Sequence, residues 1–214
     1  TVSMRKTGQT FKAASSRHSV SAVHAMLWDE MPLSPRTGVN IQVVGSEGIG
    51  KSWFVYKFAT HETPKRYHAD CLPRFTSEVE LATDKAGEYP QTVAFSLMDS
   101  KTKSTDLSQH TNVFLLCYSA IDRQSFEDLS LKWLKLLSSF APPAKIVLVA
   151  LKQDLAHKPE NASNLVSEQQ VNELAQRIKA AGNLKCSSLI ESGEEGSVDE
   201  VMHQAIALCV EARR

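Results

Sequence analysis

The chain of 214 residues carries 24 Lys plus Arg against 24 Asp plus Glu, is 42% hydrophobic, and has only 9 Gly and 8 Pro. These figures exclude low-complexity disorder, a collagen-like chain and a coiled coil, and they fit one globular domain with a short appendage. A net charge of zero gives no basic field for nucleic acid, and no apolar run approaches the roughly 18 to 20 residues that cross a bilayer. Cys71, Cys117, Cys186 and Cys209 are scattered without CxxC pairs, so reduced thiols in a cytoplasmic setting are expected rather than a disulfide or zinc framework.

Residues 1–37 form a basic, Ser-rich extension. Arg5, Lys6, Lys12, Arg17 and Arg36 face only Asp29 and Glu30 there. Its first 28 residues hold no acid, a composition that fits either a flexible arm or a mitochondrial-type leader. A short amphipathic helix is expected around Val20, Val23, Leu27 and Met31, stopped by Pro32 and Pro35.

From residue 38 to 214 strand and helix patterns alternate, which predicts an α/β domain with a mostly parallel sheet. Val39 to Val44 reads as a strand, Lys51 to Ala59 as a helix, and Phe75 to Ala82 and Thr92 to Met98 as strands around a turn at Ala86 to Glu88. Asn112 to Tyr118 and Lys145 to Leu151 are continuous apolar runs, the mark of strands buried on both faces. Between them Asp122 can cap a helix carrying Phe126, Leu129, Trp133, Leu136 and Leu137, ending before Pro142. Ser167 with Gln170, and Ser197 with Glu200, are capping boxes that open two further helices.

Chemistry begins where the first strand ends. Gly45, Ser46, Glu47, Gly48, Ile49, Gly50, Lys51 and Ser52 satisfy GxxxxGK[ST], a phosphate-binding loop set between a strand and a helix. Glycine lets backbone N–H groups approach phosphate oxygens, the helix N-terminus adds a favourable dipole, Lys51 reaches the terminal phosphates, and the Ser52 hydroxyl can ligate Mg²⁺.

On these residues the chain resembles the Ras superfamily of small GTPases, most of all its Rho branch. The likeness runs over residues 38–214 and implies a doubly wound, six-stranded sheet binding GTP or GDP with Mg²⁺. The segment Asn112 to Leu129 looks like the family's fourth strand and next helix, with the SFE signature at Ser125, Phe126 and Glu127. Leu151 to Asp154 is similar to the guanine motif [NT]KxD with Leu at its first place; Lys152 would lie along the base and Asp154 would accept from guanine's N1–H and exocyclic amine. Cys186 to Leu189 resembles the last base loop, which brings Ser187 and Ser188 to the guanine. Residues 157–164 look like a shortened Rho-type insertion, and Asp99 keeps the carboxylate linked to Mg²⁺.

The departures fall on hydrolysis rather than on nucleotide holding. Glu47 occupies a glycine position beside the γ-phosphate. Switch I is in register at Pro64 and Tyr67, but Asp70 stands where the family has its γ-phosphate-sensing threonine. After Asp99, Thr102 replaces a glycine and Lys103 the water-orienting glutamine; lysine is a donor only. Gln109 is the nearest glutamine that could take that role. Degenerate second and third motifs are similar to those of the Rad/Gem branch, which also lacks a lipidated tail. Here Cys209 lies too far from Arg214 for a CaaX box, so no prenylation motif is read in this chain. Three functions therefore compete: a Rho-like GTP-binding protein with weak or absent hydrolysis that serves effectors or complex subunits; an active switch with non-standard catalytic residues; and a nucleotide-free pseudo-GTPase within a larger complex.

Overall fold

A computed structural model describes residues 39–63, 74–81, 91–99, 107, 111–140, 144–191 and 193–211, with 74–81, 91–99, 140 and 209–211 described by backbone alone. The expected N-terminal helix and the turn at 86–88 lie outside these residues.

Among the described residues six strands form one sheet in the order β2-β3-β1-β4-β5-β6. They are β1 (Val39–Val44), β2 (Arg74–Leu81), β3 (Gln91–Asp99), β4 (Val113–Ser119), β5 (Lys145–Leu151) and β6 (Gly182–Lys185). Among these strands β2 and β3 pair antiparallel, and the other neighbours pair parallel. The helices are α1 (Lys51–Thr60), α2 (Arg123–Asp128), α3 (Leu134–Phe140), α4 (Glu168–Arg177) and α5 (Val198–Glu211).

Side-chain alternation along the parallel strands builds two cores. Ile41, Leu115 and Val149 face Phe54 of α1 and Met202 and Ile206 of α5. Phe114, Leu116 and Leu148 face the other way, toward Leu129, Trp133 and Leu137 and toward Val171 and Leu174 of α4. The strands are buried on both faces, as the apolar runs predict, in the doubly wound arrangement that the resemblance implies. Full burial of each large side chain contributes roughly 1.5 to 3 kcal/mol.

Three local features depart from the expected pattern. Asn112 does not extend β4; its carboxamide oxygen accepts from Asn40 N–H at 2.8 Å at the foot of the sheet. The helix after Asp122 is not uniformly α: Leu129–Trp133 is a π turn between α2 and α3. The Ser167 capping box forms in full, with its hydroxyl accepting from Gln170 N–H. That of Ser197 is displaced. Its hydroxyl accepts from Glu200 N–H at 3.3 Å, but the Glu200 carboxylate takes the N–H of Gly196 at 2.6 Å. The reason is competition, because Ser197 N–H is already donated to the Glu194 carbonyl.

Candidate functional site

The carboxyl ends of β1 and β5 converge on one edge of the sheet, the edge where ligands sit in open α/β folds. From β1 the chain enters the loop 45–50 and then α1. Gly45 lies against β4 so closely that a Cβ there would fall 2.3 Å from the Cys117 carbonyl oxygen, and its φ of +147° is one that side chains resist. Gly50, at φ +110°, is the N-cap of α1 and offers no side chain to close the helix end, leaving that end suited to an anion.

Lys51 is 7% exposed. Its ammonium turns back into the loop, donating to the Gly45 carbonyl at 2.9 Å and the Ser46 carbonyl at 2.7 Å. Ser52 follows on the first turn of α1, half-buried, while Glu47 and Gly48 form the exposed tip and Ile49 is buried. The Asp99 backbone is in register with Val43, which puts this residue at the end of β3 beside the start of the loop.

At the end of β5, Lys152 adopts the left-handed region at φ +59° and leads into a short 3₁₀ turn, Gln153–Leu155. That bend lets its ammonium reach across to the Gly48 carbonyl at 3.0 Å. Asp154 accepts from the Ser187 hydroxyl at 2.6 Å, and the same hydroxyl accepts from Leu189 N–H at 3.1 Å. Cys186 ties the two base loops to the sheet: its N–H donates to Ala150 O and its carbonyl accepts from Gln153 N–H. Burial, with the Asp154, Asp199 and Glu200 charges behind it, pushes the Cys186 thiol up to about 12, so it is an inert packing thiol. Ser188 is half-buried beside it.

The structure thus brings Gly45 through Ser52, Lys152, Asp154, Ser187 and Ser188 to one edge. Tyr67, Asp70, Lys103 and Gln109 lie outside the described residues. Leu151 is 3% exposed and belongs to the apolar core. The residues 157–164 include a 3₁₀ helix, Pro159–Asn164, rather than a longer inserted helix.

Sequence reasoning missed one partner. Asp128, the last residue of α2, accepts from the Ser46 hydroxyl at 2.9 Å, from Lys132 at 2.9 Å and from Gln124 at 3.2 Å. The Lys132 ammonium, with the Ser46 and Gln124 bonds, holds its carboxyl below the usual aspartate range. The spacing of Gln124, Asp128 and Lys132 by four is visible in the sequence; the contact with Ser46 is not.

Residues 40–208 match the Ras family, and the chain belongs to that family. It is similar to the Rho-related GTP-binding protein RhoV of Bos taurus, 28% identical over 83% of this chain and 77% of the relative. The Homo sapiens RhoV is 27% identical over 83% and 76%, and the GTP-binding protein RHO4 of Saccharomyces cerevisiae is 26% identical over 80% and 57%. Proteins of this family generally bind GTP and GDP with Mg²⁺ and act through protein effectors. Among the described residues no helix is long and apolar enough to cross a membrane.

Proposed function

We propose that this chain is an atypical Rho-like GTP-binding protein that retains nucleotide, hydrolyses GTP weakly or not at all, and works by presenting its surface to effectors or to subunits of a complex. In this reading residues 38–214 are the nucleotide-binding domain and residues 1–37 a separate arm, in the reducing cytoplasm that two buried cysteines, Cys117 and Cys186, suit. Lys51 neutralises the terminal phosphates. The Ser52 hydroxyl and Asp99 carboxylate are hard oxygen donors of the kind Mg²⁺ takes. Lys152 lies along the base, Asp154 reads the two guanine donors, and Ser187 and Ser188 line its other side.

The observation that carries the reading is the pair of ties across the site. Lys152 to Gly48 joins the base loop to the phosphate loop, and Ser187 to Asp154 fixes the orientation of the proposed guanine acceptor. A hydrogen-bonded, oriented carboxylate prefers guanine to adenine because adenine offers it no matching pair of N–H donors. Against this intact binding half stands Glu47, an exposed carboxylate at the loop tip, which adds negative charge where transfer of a γ-phosphoryl group needs it neutralised. Asp70 and Lys103 extend the same argument from sequence.

Chromatography of the nucleotide released on denaturing the purified protein tests it. Recovered GTP supports the reading; GDP points to an active switch. Burial of Leu151 in place of a polar base-loop residue favours a second reading, the nucleotide-free structural subunit, and protein that releases no nucleotide and gains no stability from added GTP would select it.

A further inference from the structure

Asp128 is 6% exposed, and its carboxylate is bonded on three sides. Gln124 and Lys132 come from its own helical limb, one turn before and one after, and serve it wherever the phosphate loop lies. Ser46 is different: it is 82 residues away in sequence, and its hydroxyl crosses from the phosphate loop to α2. The same residue is gripped at its other end, where its carbonyl accepts the Lys51 ammonium at 2.7 Å. Ser46 therefore joins a buried carboxylate to the lysine of the phosphate loop. An anion so near a phosphate site would repel the ligand, and an unpaired buried charge would be costly. Lys132 at 2.9 Å removes both objections by making the pair neutral.

We propose that Asp128 is a positioning residue for the phosphate loop: by holding the Ser46 hydroxyl it fixes the peptide on which the Lys51 ammonium rests, and so sets how long bound nucleotide stays. The inference rests on the reading that this loop holds nucleotide phosphates. Loss of the tie lets the Ser46 peptide swing, and Lys51 then has to be ordered anew for each binding event. The effect belongs to release, because the loosened loop still admits ligand while holding it less well.

The test is stopped-flow dissociation of a fluorescent GDP analogue from the full chain with Mg²⁺. Ser46→Ala and Asp128→Ala should each speed release about ten- to a hundredfold, as expected for one hydrogen bond to a charged acceptor. The double variant should be no faster than either single one, Ser46→Thr should keep the slow rate by keeping the hydroxyl, and association should change less than the release rate. A merely structural role would lower the melting temperature of Asp128→Ala without this non-additivity or this rescue. If Asp128→Ala does not fold, Ser46→Ala with its Thr rescue decides alone. Unmodified protein that binds the analogue, with Ser46→Ala releasing at the same rate or with the two effects multiplying, overturns the role of Asp128 only. Unmodified protein that binds no GDP or GTP overturns the nucleotide reading and this one together.

Discussion

Two of the three phosphate-loop glycines, Gly45 and Gly48, should respond very differently to the same added methyl group. In Gly45→Ala the new Cβ would lie 2.3 Å from the Cys117 carbonyl oxygen and 2.8 Å from Ile49 Cδ1, at a φ of +147°. The oxygen is backbone in the middle of the sheet and cannot rotate aside. Overpacking of about 1 to 3 kcal/mol adds to a backbone strain of similar size, so the variant should lose about 2 to 6 kcal/mol. Gly48, at φ +76°, has no atom within 4 Å of the corresponding point. Gly48→Ala should therefore lose only the left-handed cost of about 1 to 2 kcal/mol. In urea unfolding followed by circular dichroism, with a slope of about 2.5 kcal/mol per molar, the midpoint should fall by roughly 1 to 2 M for Gly45→Ala and about half a molar for Gly48→Ala. Equal midpoints for the two variants would refute the close approach of the loop to β4.

Asp154→Ala should cost GTP about 2 to 5 kcal/mol of affinity and leave ATP unchanged, checked by competitive titration; equal affinity of the unmodified protein for both would sink the guanine assignment. Lys51→Ala should abolish the thermal stabilisation given by excess GTP and Mg²⁺, and a variant stabilised as much as the parent removes the loop as a working site. Single-turnover hydrolysis should run no faster than about 10⁻⁴ s⁻¹ without response to Rho activators, and Glu47→Gly with Lys103→Gln should raise it; a normal activator response of the unmodified protein contradicts this. Because the Asp128 carboxyl sits below its ordinary value of 3.8, its charged form adds stability that is complete above that pH and is lost as pH falls through the lower, folded value. The urea midpoint of the parent should therefore exceed that of Asp128→Asn near neutral pH, with the gap closing only below 3.8.

What was legible in the sequence was local. The apolar runs of β4 and β5, the strand-loop-helix setting of Lys51, and the Ser167 capping box each state their structure within a dozen residues, and each forms, with β4 one residue later than read. The short β6 does not announce itself. Asn183 and Lys185 are exposed, and the strand exists because it pairs with Val147 to Ala150 of β5. The π turn is hidden for another reason: Leu129, Trp133 and Leu137 keep helical spacing through it, so periodicity reads one continuous α-helix. Within the site, residue types and spacing named the phosphate loop, and the resemblance to the Rho branch named the base-loop residues that gather with it at the edge. The Ser46 to Asp128 bond could not be read, because neither residue carries a mark of the other.

The π turn has a consequence for how this chain tolerates change in length. A turn closed by i→i+5 bonds holds one residue more than the α turn it replaces. Leu129–Trp133 therefore stores a spare residue in the middle of a helical limb. Leu131, 58% exposed, faces solvent within it, whereas Ser130 accepts a hydrogen bond from Arg177. Removing Leu131 would convert the turn to regular α-helix while Asp128 stays upstream and Trp133 and Leu137 keep facing the sheet. Removing one residue from α1 or α5 would instead turn every later side chain by about 100° and unmake the core they build. Single-residue insertions and deletions among relatives should accordingly collect in this turn rather than in the helices on the opposite face.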